Sequence, residues 1–367
     1  MKNETKILLH IVREKKIRRK DLEAIISVTP STMTYLLDKL RDYIDVEEEA
    51  STLGKPPQVL SIAKKAWKIL AINVGREKVR AVLYNAKGEE LESFEHRVKK
   101  EDLSNEGIND VLKKTIEKFY DYDSIGIAFS GTINGEIVDS KILFLEGYDP
   151  VKSLQLKSLG VPYIIISDVE AIAAYESKTT GKSKVLVLNY GTGIGACYYE
   201  YHALFSRDEF KTIPFGHLYA GGNEKCYCGN VGCLETVASD YVIVKNYQNT
   251  NLNFIDFINR EEEYWKTLKL VRSLHKTDQK MASELYKEVI NHLAMYLGNT
   301  SILLGINEIT LYGEGASSWL AAQLEEKINH LARNFSVSVK YGNVSDAVER
   351  GISLEAAINL IKRKLTR

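Results

Sequence analysis

The sequence has few of the residues that mark disulfide-rich, disordered or membrane proteins. It contains 4 cysteines and 6 prolines among 367 residues, and 44% of its residues are hydrophobic. Four cysteines in so long a chain cannot form a disulfide framework, and the hydrophobic content excludes a disordered chain. No uncharged apolar run reaches the ~18 residues of a membrane span. We therefore expect two or three domains around a large buried core.

The N-terminus also lacks a secretion signal. Lys2, Glu4, Lys6 and His10 interrupt its apolar residues, whereas a signal peptide needs an uninterrupted apolar core. These features predict a cytoplasmic protein that has no membrane segment. In that reducing compartment, cysteines that lie close together in sequence indicate a metal site.

The net charge is zero, but the charges are unevenly distributed. The whole chain balances 49 Lys+Arg with 49 Asp+Glu, whereas residues 1–66 hold 13 Lys+Arg and 10 Asp+Glu. Five of these positive charges fall within six residues, namely Lys15, Lys16, Arg18, Arg19 and Lys20. Such a run is typical of a DNA-binding surface or of a solvated loop between helices, and charge alone does not distinguish the two.

Apolar residues recur at helical spacing in three short segments near the N-terminus, which predicts a three-helix core. The three sets are Ile7, Leu8, Ile11 and Val12; Leu22, Ile25 and Ile26; and Met33, Leu36, Leu37 and Leu40. Thr29 and Pro30 fit the N-cap and the first position of the third helix. The alternating stretch 44–62, which turns at residues 54–57, predicts a two-stranded hairpin.

Small polar residues occupy the outward positions of the third helix, as in a helix that contacts DNA bases. We predict a winged helix-turn-helix domain over residues 1–65, with DNA contacts from Arg18, Arg19, Ser31, Thr32, Thr34, Tyr35 and, at the hairpin tip, Lys55. The alternative is a three-helix dimerisation module, because helical spacing does not specify DNA binding.

Residues 66–367 contain apolar strands that end in glycine turns. The turns hold Gly75; then Gly191, Thr192, Gly193 and Gly195; then Gly313 and Gly315. A strand follows the second turn, which excludes a Rossmann site; phosphate contact through backbone N–H groups and a tight hairpin both remain open. Two other strands end near Gly131 and Asp168, where ligands of α/β sheets bind, although Asp168 could equally be a helix N-cap.

The remaining motif is a group of metal-binding residue types. His217, Cys226, Cys228 and Cys233 form the Cys₃His set of a closed zinc site, and the glycines between them allow a tight loop. Residues 217–233 are therefore predicted to bind zinc, and unconnected surface thiols are the alternative. The isolated Cys197 is predicted to fill the core.

Together these motifs resemble the ROK family of repressors and sugar kinases, in particular its winged-helix transcriptional repressors. Residues 54–61 resemble the family's wing, and residues 216–217 with 226–235 resemble its zinc signature. The resemblance extends over nearly the whole chain. It implies an α/β fold in which the winged helix-turn-helix precedes an actin-like, two-lobed sugar-kinase domain, with sugar in the interlobe cleft and ATP between the phosphate turns.

The resemblance also implies roles for single residues. Asp168 matches the kinases' catalytic base, and the sugar ligands correspond to Gly131, Asp168, His217 and Glu235. The phosphate-turn equivalents are Gly75, Gly191, Thr192, Gly193, Gly195, Gly313 and Gly315.

Other positions depart from the kinase pattern. The first phosphate turn has Asn73, Arg76 and Glu77 where kinases have Asp, Gly and Thr, and Glu314 replaces the middle glycine of the adenosine-side turn. Ser167, Glu170 and Pro214 replace polar residues near the sugar. Phosphoryl transfer depends on positioning and charge neutralisation. We therefore expect no enzyme activity and expect Asp168 to bind ligand only.

We predict a homodimeric or larger transcriptional repressor of sugar metabolism that binds zinc, a palindromic DNA operator and a carbohydrate effector. One alternative is an active ATP-dependent sugar kinase, of the glucokinase or N-acetylglucosamine kinase type, with an added DNA-binding domain. Another is a repressor that senses no small molecule and uses its C-terminal domain only to dimerise.

Overall fold

The computed structural model describes residues 1–50, 56–200, 210–332 and 334–365. The chain forms two compact units: the first from the described parts of Met1–Lys182 and Asp346–Arg367, the second from those of Ser183–Glu200 and Asp208–Ser345. The predicted boundary at residue 65 falls inside the first unit and stays a prediction about function. Within the described ranges, no helix has both the length and the apolar character of a membrane span.

The N-terminal module, residues 1–65 of the first unit, has three helices and a three-stranded sheet. Its elements are α1 (Asn3–Glu14), β1 (Lys16–Arg18), α2 (Arg19–Ile26), α3 (Pro30–Lys39), β2 (Ile44–Glu48) and β3 (Gln58–Ile62). Strand β3 lies between β1 and β2 and pairs antiparallel with both. The predicted hairpin is thus confirmed, and its tip at residues 51–55, which includes Lys55, lies outside the described residues.

The predicted apolar stripes of the N-terminal module are buried except at Leu37, which is partly buried, and at Ile25. Ile25 is 52% exposed, so its expected place in the core is wrong. The buried face of α2 is set by Leu22 and Ile26, four residues apart. Successive helical residues are rotated by about 100°, so Ile25 is turned away from the side on which Ile26 packs.

The rest of the first unit contains a five-stranded sheet with helices. Its elements are β4 (Lys68–Val74), β5 (Lys78–Asn85), β6 (Glu90–Arg97), α4 (Asn105–Ile116), β7 (Ser124–Phe129), β8 (Thr132–Asn134), β9 (Ile137–Ser140), β10 (Leu145–Tyr148), α5 (Pro150–Ser153), β11 (Tyr163–Ser167), α6 (Asp168–Thr180) and α13 (Ala347–Leu365). The main sheet has the order β11-β7-β4-β5-β6, and β8 to β10 form a small separate sheet.

The second unit contains another five-stranded sheet, of order β14-β13-β12-β15-β16. Its elements are β12 (Lys184–Tyr190), β13 (Ile194–Glu200), β14 (Phe210–Ile213), α7 (Leu234–Ala238), α8 (Asp240–Gln248), α9 (Phe254–Asn259), α10 (Glu261–Thr277), α11 (Gln279–Leu304), β15 (Glu308–Tyr312), α12 (Ser318–Leu331) and β16 (Ser338–Tyr341).

The main sheets of the two units share one topology. In each, three successive strands form an antiparallel meander, and two later strands add in parallel beside the first strand of that meander. The carboxyl ends of parallel strands are the usual ligand-binding edge of such sheets. The glycine turns after β4, β12 and β15 and the Asp168 segment after β11 all follow such strands.

Helix α13 packs closely against the first unit's sheet. A Cβ atom at Gly126 of β7 would lie 2.4 Å from Ile352 Cγ2, and one at Gly351 would lie 1.8 Å from the carbonyl oxygen of Ala171 in α6. Glycine is needed at both positions because a larger side chain would push the helix away. The α13 residues Ile352 and Leu360 share one buried core with residues of α1 and β3.

Candidate functional site

The four predicted metal ligands lie together in the second unit. One ligand atom from each of His217, Cys226, Cys228 and Cys233 lies within 4.8 Å of the other three. Cys226 Sγ is 3.6 Å from His217 Nδ1, and Cys228 Sγ is 3.6 Å from Cys233 Sγ. Sulfur atoms bound to one tetrahedral zinc ion at about 2.3 Å would lie roughly 3.8 Å apart, whereas a disulfide needs about 2.05 Å. The donor set and its spacing therefore fit zinc.

A glycine turn folds the loop that carries these cysteines. The N–H of Gly229 donates to the carbonyl of Cys226 at 3.0 Å, and the N–H of Cys226 donates to the carbonyl of Asn230 at 2.8 Å. Gly229 has a φ of +96°, which residues with a Cβ atom rarely adopt. The predicted role of glycine in this loop is thus confirmed at Gly229.

Glu235 lies in α7, two residues after Cys233, the last cysteine of the cluster. It is 3% exposed, and its Oε1 accepts a hydrogen bond from the N–H of Ile194 at 2.8 Å. Burial raises the pKa of this carboxyl, while the hydrogen bond from the Ile194 N–H favours the ionised form. A Cβ atom at Gly216 would lie 2.3 Å from Glu235 Cγ. The structure therefore brings Glu235 and His217 together beside the turn after β12.

Asp168, in the first unit, is the first residue of α6. Its Oδ2 accepts a hydrogen bond from the Ser130 hydroxyl at 2.7 Å, and its Oδ1 accepts one from the N–H of Val169 at 2.8 Å. The alternative role of N-cap is wrong, because Ser167 occupies that position. Ser167 Oγ accepts from the N–H of Glu170, and the Glu170 carboxylate accepts from the N–H of Ser167, both at 3.2 Å.

This capping box explains two departures from the kinase pattern. Ser167 and Glu170 stand at two positions where the kinases have asparagine near the sugar. In this chain both side chains cap the backbone of α6. The Ser-x-x-Glu spacing was a sequence signal for this box that our sequence analysis missed. Beside Asp168, Gly131 is tightly enclosed, since a Cβ atom there would lie 2.6 Å from the carbonyl oxygen of Asp139.

A buried acid from α13, which was not identified from the sequence, lies beside the first phosphate turn. Glu349 of α13 is 2% exposed, and its Oε1 accepts a hydrogen bond from the side-chain amide of Asn73 at 3.4 Å. Arg80 Nη1 lies 3.6 Å from the same oxygen. Burial raises the pKa of Glu349. An aspartate at position 73, the kinase residue, would place a second carboxylate against Glu349, so Asn73 and Glu349 are complementary. Gly75 closes the turn by donating to the carbonyl of Lys78 at 3.0 Å.

The turn between β12 and β13 is a tight hairpin, which is one of the two interpretations that the sequence leaves open. The N–H of Gly191 donates to the carbonyl of Gly193 at 3.0 Å, Thr192 lies between them, and Gly195 pairs with Asn189 in the strands. Phosphate contact at this turn stays a prediction.

The turn after β15 lies next to this hairpin. The N–H of Gly315 donates to the carbonyl of Tyr190, and the N–H of Asp240 donates to the carbonyl of Gly191, both at 3.0 Å. Gly313 has a φ of +106°, and a Cβ atom there would lie 2.3 Å from Tyr190 O. The structure thus brings together two of the three predicted phosphate turns.

An ion-pair network lies at these two turns. Arg272 Nη2 is 2.7 Å from Asp240 Oδ2, and Arg272 Nη1 is 3.3 Å from Glu314 Oε2. The side chain of Asp240 is 0% exposed and that of Glu314 is 55% exposed. Two carboxylates around one guanidinium leave one negative charge, which repels phosphate. Glu314 was identified from the sequence; Asp240 and Arg272, distant in sequence from the turns, were not.

In the N-terminal module, the start of α3 is as predicted. Thr29 Oγ1 accepts a hydrogen bond from the N–H of Thr32 at 3.2 Å, and Pro30 is the first helical residue. The exposed residues of α3 include Ser31, Thr32, Thr34 and Tyr35.

Arg19 connects three elements of the N-terminal module. Its guanidinium donates to Glu23 of α2 at 2.8 Å, to Thr34 Oγ1 and the Pro30 carbonyl of α3 at 2.6 and 2.8 Å, and to Gln58 of β3 at 3.0 Å. Its side chain is 22% exposed. These bonds fix α3 relative to α2 and β3, a positioning role that sequence analysis did not foresee. Direct DNA contact by Arg19 stays a prediction.

The chain is similar to known transcriptional repressors and sugar kinases. A xylose repressor from Bacillus subtilis (strain 168) is 27% identical over 280 residues, which are 70% of this chain and 71% of that protein. A crystal structure of a ROK family transcriptional regulator, described as a homologue of the E. coli Mlc protein, is 20% identical with a TM-score of 0.74 and 98% coverage of both chains.

A ROK family glucokinase from Streptomyces griseus, solved with glucose and AMPPNP, is 17% identical with a TM-score of 0.62; the match covers 79% of this chain and 99% of the glucokinase. These likenesses and the repeated sheet topology show the actin-like sugar-kinase fold. The ROK family model matches residues 69–349, most of the sequence, and the chain belongs to the ROK family.

Proposed function

We propose that this protein is a DNA-binding transcriptional repressor of sugar metabolism whose kinase-like part binds zinc and a carbohydrate but transfers no phosphate. One observation carries the proposal: an exposed polar helix, α3, precedes a ROK fold in which carboxylates lie at the phosphate turns. The likeness to a xylose repressor supports a sugar as the effector.

Residues 1–65 would form the winged helix-turn-helix, with α3 as the recognition helix and β2 and β3 as the wing. The order of three helices and an antiparallel hairpin supports this assignment. Two such modules in a homodimer would bind a palindromic operator, because the two-fold axis of the protein would match that of the DNA.

Zinc would have a structural role. Four protein ligands complete a tetrahedral shell and leave no position for a catalytic water. The ion would hold the loop 217–233 and thereby position His217 and Glu235, which lie beside each other in the second unit. Zinc in this protein would therefore support ligand binding without taking part in chemistry.

The active sugar kinase is the competing function, and Asp168 is the residue that favours it. A general base alone contributes about 10²- to 10⁴-fold to a rate. Transfer from ATP also needs neutralised phosphates and a bound metal ion. The Asn73–Glu349 contact and the negative network of Asp240, Arg272 and Glu314 oppose both requirements, so we favour the degenerate kinase.

Candidate sugar ligands occur in each unit. In the first unit these are Asp168 and the backbone at Gly131; in the second they are His217 and Glu235. A sugar can change DNA affinity only through different affinities for two protein conformations. Coupling of this kind is typically ~1–3 kcal/mol, about 5- to 150-fold in affinity.

We expect stoichiometric zinc in protein purified without chelator, because three thiols and an imidazole fit the ion. Cys228→Ser should lose most of the metal and lower the unfolding midpoint, since metal binding and folding are coupled. Elemental analysis and thermal unfolding measure both effects. Cys197→Ala, which removes the buried thiol outside the cluster, should keep its zinc. Folded wild-type protein without metal would contradict the assignment.

The full chain should select a short two-fold-symmetric sequence from a random duplex library. Arg18→Ala should weaken binding to every duplex alike, because phosphate contacts carry no sequence information. The slope of log affinity against log salt concentration should fall by up to ~0.9 per protomer, because one phosphate contact is lost. Tyr35→Ala should relax base preference, with a loss of ~1–3 kcal/mol in discrimination at one base pair. Fluorescence anisotropy measures both.

Lys99→Ala is the matched control for Arg18→Ala, because it removes an exposed cation outside the N-terminal module. This control should bind DNA as the wild type does. A full chain that enriches no sequence from the library would overturn the DNA-binding assignment.

A responsive sugar should be found in a panel of pentoses, hexoses and amino sugars that is titrated against the protein on its selected duplex. Asp168→Asn and Glu235→Gln should bind the duplex normally but lose the response, because each removes a charged hydrogen-bond acceptor for sugar hydroxyls. Asp121→Asn, which changes an exposed acid paired with Lys68, should respond as the wild type does. Normal responses in both site variants would place the effector elsewhere.

A further inference from the structure

The basic residues of β1 are paired with Glu47 of β2 and with Glu49, the residue that follows this strand. Lys16 Nζ lies 2.8 Å from Glu47 Oε2, and Arg18 Nη2 lies 2.9 Å from Glu49 Oε2. Both cations belong to the basic run at residues 15–20 that suggested a DNA-binding surface. The structure therefore shows that this run is partly neutralised by the chain itself.

These two ion pairs lie next to the recognition helix. Strand β3 separates the partners, and its Val59 is opposite both Arg18 and Glu47. The preceding residue, Gln58, accepts a hydrogen bond from Arg19, which also donates to Thr34 of α3. The ion pairs are thus connected to α3 through β3 and Arg19.

The pairs are exposed enough for other anions to compete. The side chains of Lys16 and Glu47 are 62% and 52% exposed, and those of Arg18 and Glu49 are 59% and 44% exposed. Exposed ion pairs are weak and are screened by salt. A DNA phosphate that approaches Lys16 or Arg18 must therefore displace a glutamate and then remains close to its charge.

We propose that Glu47 and Glu49 are internal competitors of DNA phosphate, which hold Lys16 and Arg18 and limit the sequence-independent part of DNA binding. The inference rests on the proposed DNA-binding function. This has a consequence for regulation. Because the protein's own carboxylates keep its DNA affinity low, a modest conformational change caused by the effector is enough to alter DNA binding. Base recognition by α3 is unaffected, because neither glutamate belongs to that helix.

The test is the double variant Glu47→Gln and Glu49→Gln in the full chain, measured on a random-sequence duplex by fluorescence anisotropy over a range of salt. Release of two cations per protomer should steepen the slope of log affinity against log salt concentration by up to ~1.8 for each protomer that contacts the duplex, so that the affinity gain per protomer shrinks roughly ten-fold between 50 and 200 mM salt. Adding Lys16→Gln and Arg18→Gln to this variant should return the affinity and slope to nearly wild-type values.

The matched control is Glu95→Gln with Glu263→Gln, which removes two glutamates of similar exposure from ion pairs outside the N-terminal module. Its DNA affinity and salt slope should stay at the wild-type values. Equal gains in this control, or no gain in the Glu47/Glu49 variant, would overturn the inference. Wild-type protein that enriches no duplex sequence would instead overturn the proposed function.

Discussion

The close approach of α13 to the first unit's sheet is the constraint on which the N-terminal half of the structure depends. Gly126 and Gly351 allow this approach, and the α13 residues Ile352 and Leu360 then complete a core that also contains Ile7 and Leu60 of the N-terminal module. Moving the module away would expose these apolar side chains to water. The module and α13 therefore share one buried core within the first unit.

The same helix also contributes a side chain to the first phosphate turn. Glu349, near the start of α13, fixes Asn73 through a buried contact at the first phosphate turn. At the other turns, Arg272 is occupied by Asp240 and Glu314. Carboxylates thus lie beside the first phosphate turn and at the two adjacent turns of the second unit, which is the basis for proposing that the chain transfers no phosphate.

The sequence was informative where local patterns determine structure, and much less so where distant residues meet. Helical periodicity, the Thr29 cap and the Cys₃His set predicted α1, α3 and the metal cluster, because these features depend on neighbours in the chain. Ile25 was misplaced because a short helix shows too few turns to define its buried face. The contact of Glu349 with Asn73 was not predictable, since 276 positions separate the two residues.

The proposed function is repression of transcription in response to a sugar, without sugar-kinase activity. The most direct test is ADP release from ATP and Mg²⁺ across a panel of hexoses, pentoses and amino sugars. Our account predicts no sugar-dependent ADP release, because the phosphate turns carry excess negative charge. Sugar-dependent ADP release that disappears in Asp168→Ala would contradict it and identify the chain as an active kinase.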